Sequence, residues 1–182
     1  MTPGSLVLLH TAGAAAWGDL PGELRAAGLT VIVPDAEGSG PRYVARASLL
    51  IAAAAPPQPL VLVARGAAGP LVPAVALAQR AAHRAVGAYV FVDADLPRPR
   101  RAHDHDHAEE HSEAPTGAHA GTQTPIPPDW PEAPCVYLRT AQDHMTEAAL
   151  REARLRGWTT AEAAPASGAP LAETLARLIA GL

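Results

Sequence analysis

The sequence predicts an α/β fold, a three-layer domain in which one parallel sheet of about six strands is covered by helices on both faces. Three observations carry this expectation. Apolar runs such as S-L-V-L-L-H, L-V-L-V, A-Y-V-F-V-D and C-V-Y-L-R are continuous rather than alternating, the pattern of strands buried on both sides. Each run is followed by a helix-patterned stretch that ends at Gly or Pro, and such alternation builds a parallel sheet. The chain has 182 residues, 48% of them apolar, which is ample for one domain and thin for two. Residues 1–182 therefore read as a single domain.

The elements follow in order. Ser5–His10 is the first strand, and Trp17–Ala27 a helix stopped by Gly28. Thr30–Pro34 is the second strand, followed by a helix over Tyr43–Ala55 that stops at Pro56 and Pro57. Leu60–Val63 is the third strand. Its helix, Ala67–Ala85, tolerates Pro70 in the first turn and bends at Pro73. Ala88–Asp93 is the fourth strand and Cys135–Arg139 the fifth. Thr146–Arg156 is an amphipathic helix with Glu147, Arg151 and Arg154 on its wet side. Thr159–Ala163 is a weak sixth strand, and Pro170–Leu182 a closing helix. Between the fourth and fifth strands, residues 98–130 lack periodicity and are rich in His, Asp, Pro and Gly, so this insert reads as a long flexible loop, part-helical over Ala102–Glu113.

Composition narrows the function. The 14 basic residues are all arginine and the net charge is −4 with His neutral, so there is no basic field for nucleic acid. No apolar stretch reaches the roughly 20 residues of a membrane span. The N-terminus lacks a charged region and a cleavage site. The single Cys135 excludes an intrachain disulfide and fits a reducing cytoplasm. Lying in P-C-V-Y-L, it reads as a buried thiol rather than a nucleophile.

Ligand sites in such sheets lie outside the carboxyl ends of the strands. That directs attention to residues 10–16, 35–40, 65–69, 93–97, 140–144 and 164–169. Asp93 and Asp95 leave the fourth strand, and Asp143 and His144 follow the fifth. Acids at these exits can orient a base, which makes Asp93, Asp143 and His144 the candidate catalytic groups, against the alternative of a solvated loop. His10 ends the first strand, either in a site or supporting the loop after it. Arg65 ends the third strand, either clamping a carboxylate or phosphate or paired with Asp35 or Asp93. His83, late in a helix, reads as surface. In the insert, His103, His105, His107 and His111 alternate with Asp104 and Asp106. Extended or helical, three of these imidazoles share a face and offer ligands to Zn²⁺, Ni²⁺ or Cu²⁺. The alternative is a polar loop with adventitious metal affinity.

The stretch L-V-L-V-A-R-G-A-A-G-P, residues 60–70, has the shape of a nucleophile elbow, a strand that turns sharply into a helix around G-x-S-x-G. Gly66 stands at its apex. With H-T-A-G-A-A-A-W-G-D-L after the first strand, A-Y-V-F-V-D-A-D-L-P, P-I-P-P-D-W-P-E-A-P-C-V-Y-L-R and R-G-W-T-T-A-E-A, the chain resembles the α/β-hydrolase family, in particular its small actinobacterial members. The resemblance covers nearly the whole chain. It implies an oxyanion-hole amide from Thr11 or Ala12 and another from Ala67. The family pattern V-G-H-S-x-A-G is departed from at Arg65 and Gly66. The loop after the last strand, A-P-A-S-G-A-P, holds no histidine, and the insert stands where the family carries its cap.

A triad needs a nucleophile, a base and an orienting group. The resemblance and its departures thus imply a degenerate member that is not a Ser-His-Asp hydrolase. His10, Thr11, Ala12, Arg65, Gly66 and Ala67 are then expected to bind a small organic molecule. A non-hydrolytic step in specialised metabolism, namely cyclisation, isomerisation or elimination, is the leading expectation. The alternatives are a metal-dependent or metal-binding protein using the histidine loop, and a catalytically dead subunit bound to a partner protein or to a second copy.

Overall fold

The structure, a computed structural model, describes residues 4–98, 126–163 and 169–181. Six strands form one sheet: β1 (Ser5–Leu9), β2 (Val31–Ile32), β3 (Leu60–Arg65), β4 (Val86–Val92), β5 (Cys135–Arg139) and β6 (Thr159–Glu162). Their order is β2-β1-β3-β4-β5-β6 and every neighbouring pair is parallel. The expected three-layer α/β architecture is therefore present. Among the described residues four helices run between strands, α1 (Leu20–Ala26), α2 (Gly40–Ala54), α3 (Val72–Ala81) and α4 (His144–Leu155), and α5 (Ala169–Ala180) follows β6.

The period-two geometry of a strand divides the apolar runs between two cores. On one face Val7, Leu9, Leu60, Leu62, Tyr89, Phe91 and Tyr137 pack with α2, α3 and α4 through Tyr43, Ile51, Val75 and Leu150. On the other, Leu6, Leu8, Val61, Val63, Val90 and Leu138 pack with α1 and α5 through Leu24, Leu171, Leu175 and Ile179. Each such side chain contributes about 1.5–3 kcal/mol when fully buried. Alanine is abundant at these seams: Ala47, Ala76 and Ala153 lie buried between helix and sheet. Two partly buried tryptophans close this face beside β4, where Phe91 stacks on Trp158 at 5.1 Å and Trp130 meets Trp158 edge-on at 6.0 Å.

Several boundaries differ from the sequence reading, each for a local reason. The expected helix Trp17–Ala27 is a 3-10 turn over Ala14–Trp17 followed by α1. Gly18, at φ 55°, breaks the two apart. The expected helix Ala67–Ala85 is a 3-10 segment over Gly66–Leu71 and then α3. Pro70 lies inside the 3-10 segment, and α3 opens only at Val72, with Pro73 in its first turn where no N–H is needed. That helix ends at Ala81, and His83 lies beyond it, exposed, at φ 58°. β2 shrinks to Val31–Ile32, since it is an edge strand and Pro34 has no amide to donate. β4 starts two residues earlier than expected, at Val86.

Candidate functional site

The strand order reverses beside β1: the chain places β2 on one side of it and returns with β3 on the other. Such a reversal leaves a crevice at the carboxyl edge. Leu9 and Ala64 are register partners there, so the segments that follow them, residues 10–14 and 65–69, form its two walls.

The first wall is a loop tied down from within. The half-buried His10 accepts a hydrogen bond at Nδ1 from the Ala12 amide at 3.0 Å. An accepting Nδ1 requires a neutral ring carrying its proton on Nε2. Burial lowers the His10 pKa, and the charge of Arg65 lowers it further. The ring also meets Trp17 edge-on at 6.3 Å. Gly13 adopts φ 79°, and a Cβ there would crowd Asp35 Oδ1 at 2.9 Å. That same oxygen accepts from the Ala14 amide at 3.1 Å. Thr11 accepts from the Gly38 amide at 2.9 Å, and Ala12 pairs with Glu37. The loop after β2 thus braces the loop after β1. The Ala12 amide, one of the two proposed for an oxyanion hole, is engaged by His10; Thr11 is half-buried beside it.

The second wall is the elbow. Arg65 closes β3 in extended geometry, and Gly66 turns the chain at φ 56°. A Cβ built on Gly66 meets nothing within 4 Å, so the apex points into open space. Ala67 is exposed, and its N–H, in the first turn of the helical segment, has no carbonyl to pair with inside it. The elbow is clamped from behind: the Asp95 amide donates to the Gly66 carbonyl at 3.1 Å. A Cβ on Gly69 would overlap the Asp95 carbonyl. Arg65 forms neither of the ion pairs weighed for it; its side chain has no hydrogen bond or ion pair among the described residues.

The acids at the next exits are committed to backbone. Asp93, at φ 45°, accepts from the Thr140 and Ala141 amides at 2.6 and 3.0 Å and from the Thr140 hydroxyl. Asp143 caps α4, accepting from the Thr146 amide at 2.8 Å, and that bond holds its carboxyl below the usual range. His144 is exposed in the first turn of the same helix. Asp143 and His144 stand side by side, and the Asp143 oxygen is aimed at the backbone. The structure therefore brings His10, Thr11, Ala12, Arg65, Gly66 and Ala67 to one edge. His103, His105, His107 and His111 lie outside the described residues, among which no group of three or more His, Cys, Asp and Glu could hold a metal.

One residue of the site was not singled out from sequence. Tyr43, in the first turn of α2, is buried with no hydrogen-bond partner for its hydroxyl. Burial pushes its pKa up to about 12, and the nearby His10 amide acts weakly the other way. Its only sequence signal is that it opens the apolar face of α2. Two grooves on the described surface, one between α1 and α5 and one lined by Ala14, Gly18, α1 and Val33, are not lined by His10, Arg65, Gly66 or Ala67.

A single parallel sheet of this order, helices on both faces and a tight strand–turn–helix at the end of β3 together define an α/β-hydrolase-like fold. Solved structures agree. A methylesterase from Arabidopsis superposes with a TM-score of 0.67 at 17% identity, covering 98% of this chain and 99% of that one. A pyrethroid hydrolase superposes with a TM-score of 0.61 at 16% identity, covering 99% and 97%. At such identities the likeness is one of fold. No family model and no curated protein matches the sequence. No helix among the described residues is long and apolar enough to cross a membrane.

Proposed function

We propose that this α/β-hydrolase-fold protein binds a small organic molecule at the carboxyl edge of β1 and β3 and does not use Ser-His-Asp hydrolysis. The observation that carries the reading is Gly66. The elbow keeps its turn at φ 56° and its open apex but presents no side chain to attack a carbonyl. Backbone geometry, and with it the Ala67 amide, does not depend on that side chain. A scaffold of this kind can still orient a molecule and stabilise developing charge. Chemistry that suits it passes through no covalent enzyme intermediate: cyclisation, isomerisation or elimination. The described histidines fit this view. His10 spends Nδ1 on Ala12, while His83 and His144 are exposed on helix ends.

The test is a fragment screen on the full chain by amide NMR, with p-nitrophenyl ester turnover measured in parallel. The expected result is ligand-dependent shifts at Gly66 and Ala67, with ester hydrolysis at the buffer rate. Saturable ester hydrolysis by the unmodified protein overturns the non-hydrolytic reading. Shifts confined to the α1–α5 groove overturn the site.

A further inference from the structure

Among the described residues five arginines are partly buried: Arg65, Arg80, Arg84, Arg139 and Arg156. Four have a side-chain acceptor. Arg80 meets Asp129 and Glu132, Arg84 meets the Gln79 carbonyl, Arg139 meets Glu147 and Glu162, and Arg156 meets Glu152. Arg65 alone has none among the described residues. A guanidinium with no acceptor from its own described neighbours offers its N–H fork to one supplied by a bound molecule. Arg65 instead stands one residue from an apex whose side-chain direction is empty.

From this we infer that the molecule bound at the switch-point edge is a small organic carboxylate whose charge is read by Arg65. The inference rests on the site proposed above. Its chemistry follows from the donors present. The guanidinium fork matches the two oxygens of a carboxylate, and the Ala67 N–H supplies a third donor. The site offers one positive charge and not two, because an imidazole that accepts from Ala12 is neutral. Asp35, Asp93 and Asp95 stand at the neighbouring strand exits and disfavour a dianion. A monoanion is therefore preferred over phosphate.

The experiment uses the full chain and benzoate, phenylacetate and 3-phenylpropionate, each against its methyl ester, with inorganic phosphate as the dianion. Binding is read from the Arg65 Nε–H and Ala67 amide resonances. The expected result is that at least one acid binds about tenfold or more tighter than its ester, shifts both resonances, and outcompetes phosphate. Arg65→Gln then binds acid and ester alike, and Arg65→Lys recovers part of the preference. Should Arg65→Gln not fold, Arg65→Lys carries the comparison by a partial loss. Equal binding of acid and ester at Ala67 overturns the carboxylate inference while the site stands. A preference retained in Arg65→Gln overturns the role of Arg65, and tighter binding of phosphate overturns the monoanion. No shift at Arg65 or Ala67 with any acid or ester overturns the site itself.

Discussion

Asp93 fastens Thr140. One carboxylate oxygen accepts the Thr140 and Ala141 amides at 2.6 and 3.0 Å, and the other accepts the Thr140 hydroxyl. The exits of β4 and β5 are thereby joined by a side chain, and Asp93 takes φ 45° to do it. Removing a part-buried acceptor leaves its donors unpaired, at about 1–3 kcal/mol for each donor kept from water. Asp93→Ala is expected to lower stability by about 2–4 kcal/mol. Asp93→Asn keeps an acceptor for the amides and tolerates positive φ, so it should lose clearly less. Urea unfolding of the two variants checks the order, and equal losses would refute the staple.

The elbow holds two glycines with opposite requirements. Gly69 packs so closely on β4's exit that a Cβ overlaps the Asp95 carbonyl. Gly69→Ala is expected to cost about 3 kcal/mol or more, or to prevent folding. Gly66 has free space around its Cβ position and only its φ of 56° to satisfy. Gly66→Ser should fold with a loss of roughly 1–2 kcal/mol, the steric cost of left-handed geometry. Without a base beside it, the new hydroxyl should not hydrolyse esters. Melting curves and p-nitrophenyl acetate turnover test both statements.

His10 should titrate below the ordinary histidine range, chiefly through burial and secondarily through Arg65. The sign follows from linkage. Between the folded and unfolded pKa values the unfolded chain binds the extra proton, so the contribution is complete above the ordinary histidine range and is lost as pH falls from there through the lower folded midpoint. In Arg65→Gln the midpoint should rise part of the way back, since burial remains. Ring proton shifts followed by NMR give both midpoints, and an unchanged midpoint in the variant would remove Arg65 from the neighbourhood of the ring.

Cys135 is buried, and burial with the Glu132 charge pushes its thiol up to about 12. Thiolate is the reactive form, so a thiol reagent at pH 8 should label the native protein at a small fraction of the rate seen in denaturant. Rapid labelling of native protein would show that the start of β5 opens.

Much of the fold is legible in the residues. Continuous apolar strands can be satisfied only between two layers, and β5 falls on Cys135–Arg139 as the pattern requires. The elbow is equally legible, because a strand that runs into G-A-A-G-P has few ways to turn. Local punctuation was harder to read. Pro70 and Gly18 displaced helix starts by several residues, because whether a missing donor or a positive φ ends a turn depends on the turn around it.

At the site, residue types were visible and their engagements were not. Arg65 offered two pairings in sequence, with Asp35 and Asp93. Tertiary structure gives Asp35 to the Ala14 amide and Asp93 to Thr140, and leaves the guanidinium with neither. The sequence alone determined the layered parallel sheet and the glycine at the apex of the elbow, because periodicity and steric permission act along the chain. Only the tertiary structure decided which acid meets which backbone amide, that Ala12 serves His10, and that Tyr43 lies beneath the loop. Those outcomes depend on distances of a few ångströms between segments remote in sequence, where hydrogen-bond geometry selects one partner from several of equal chemistry.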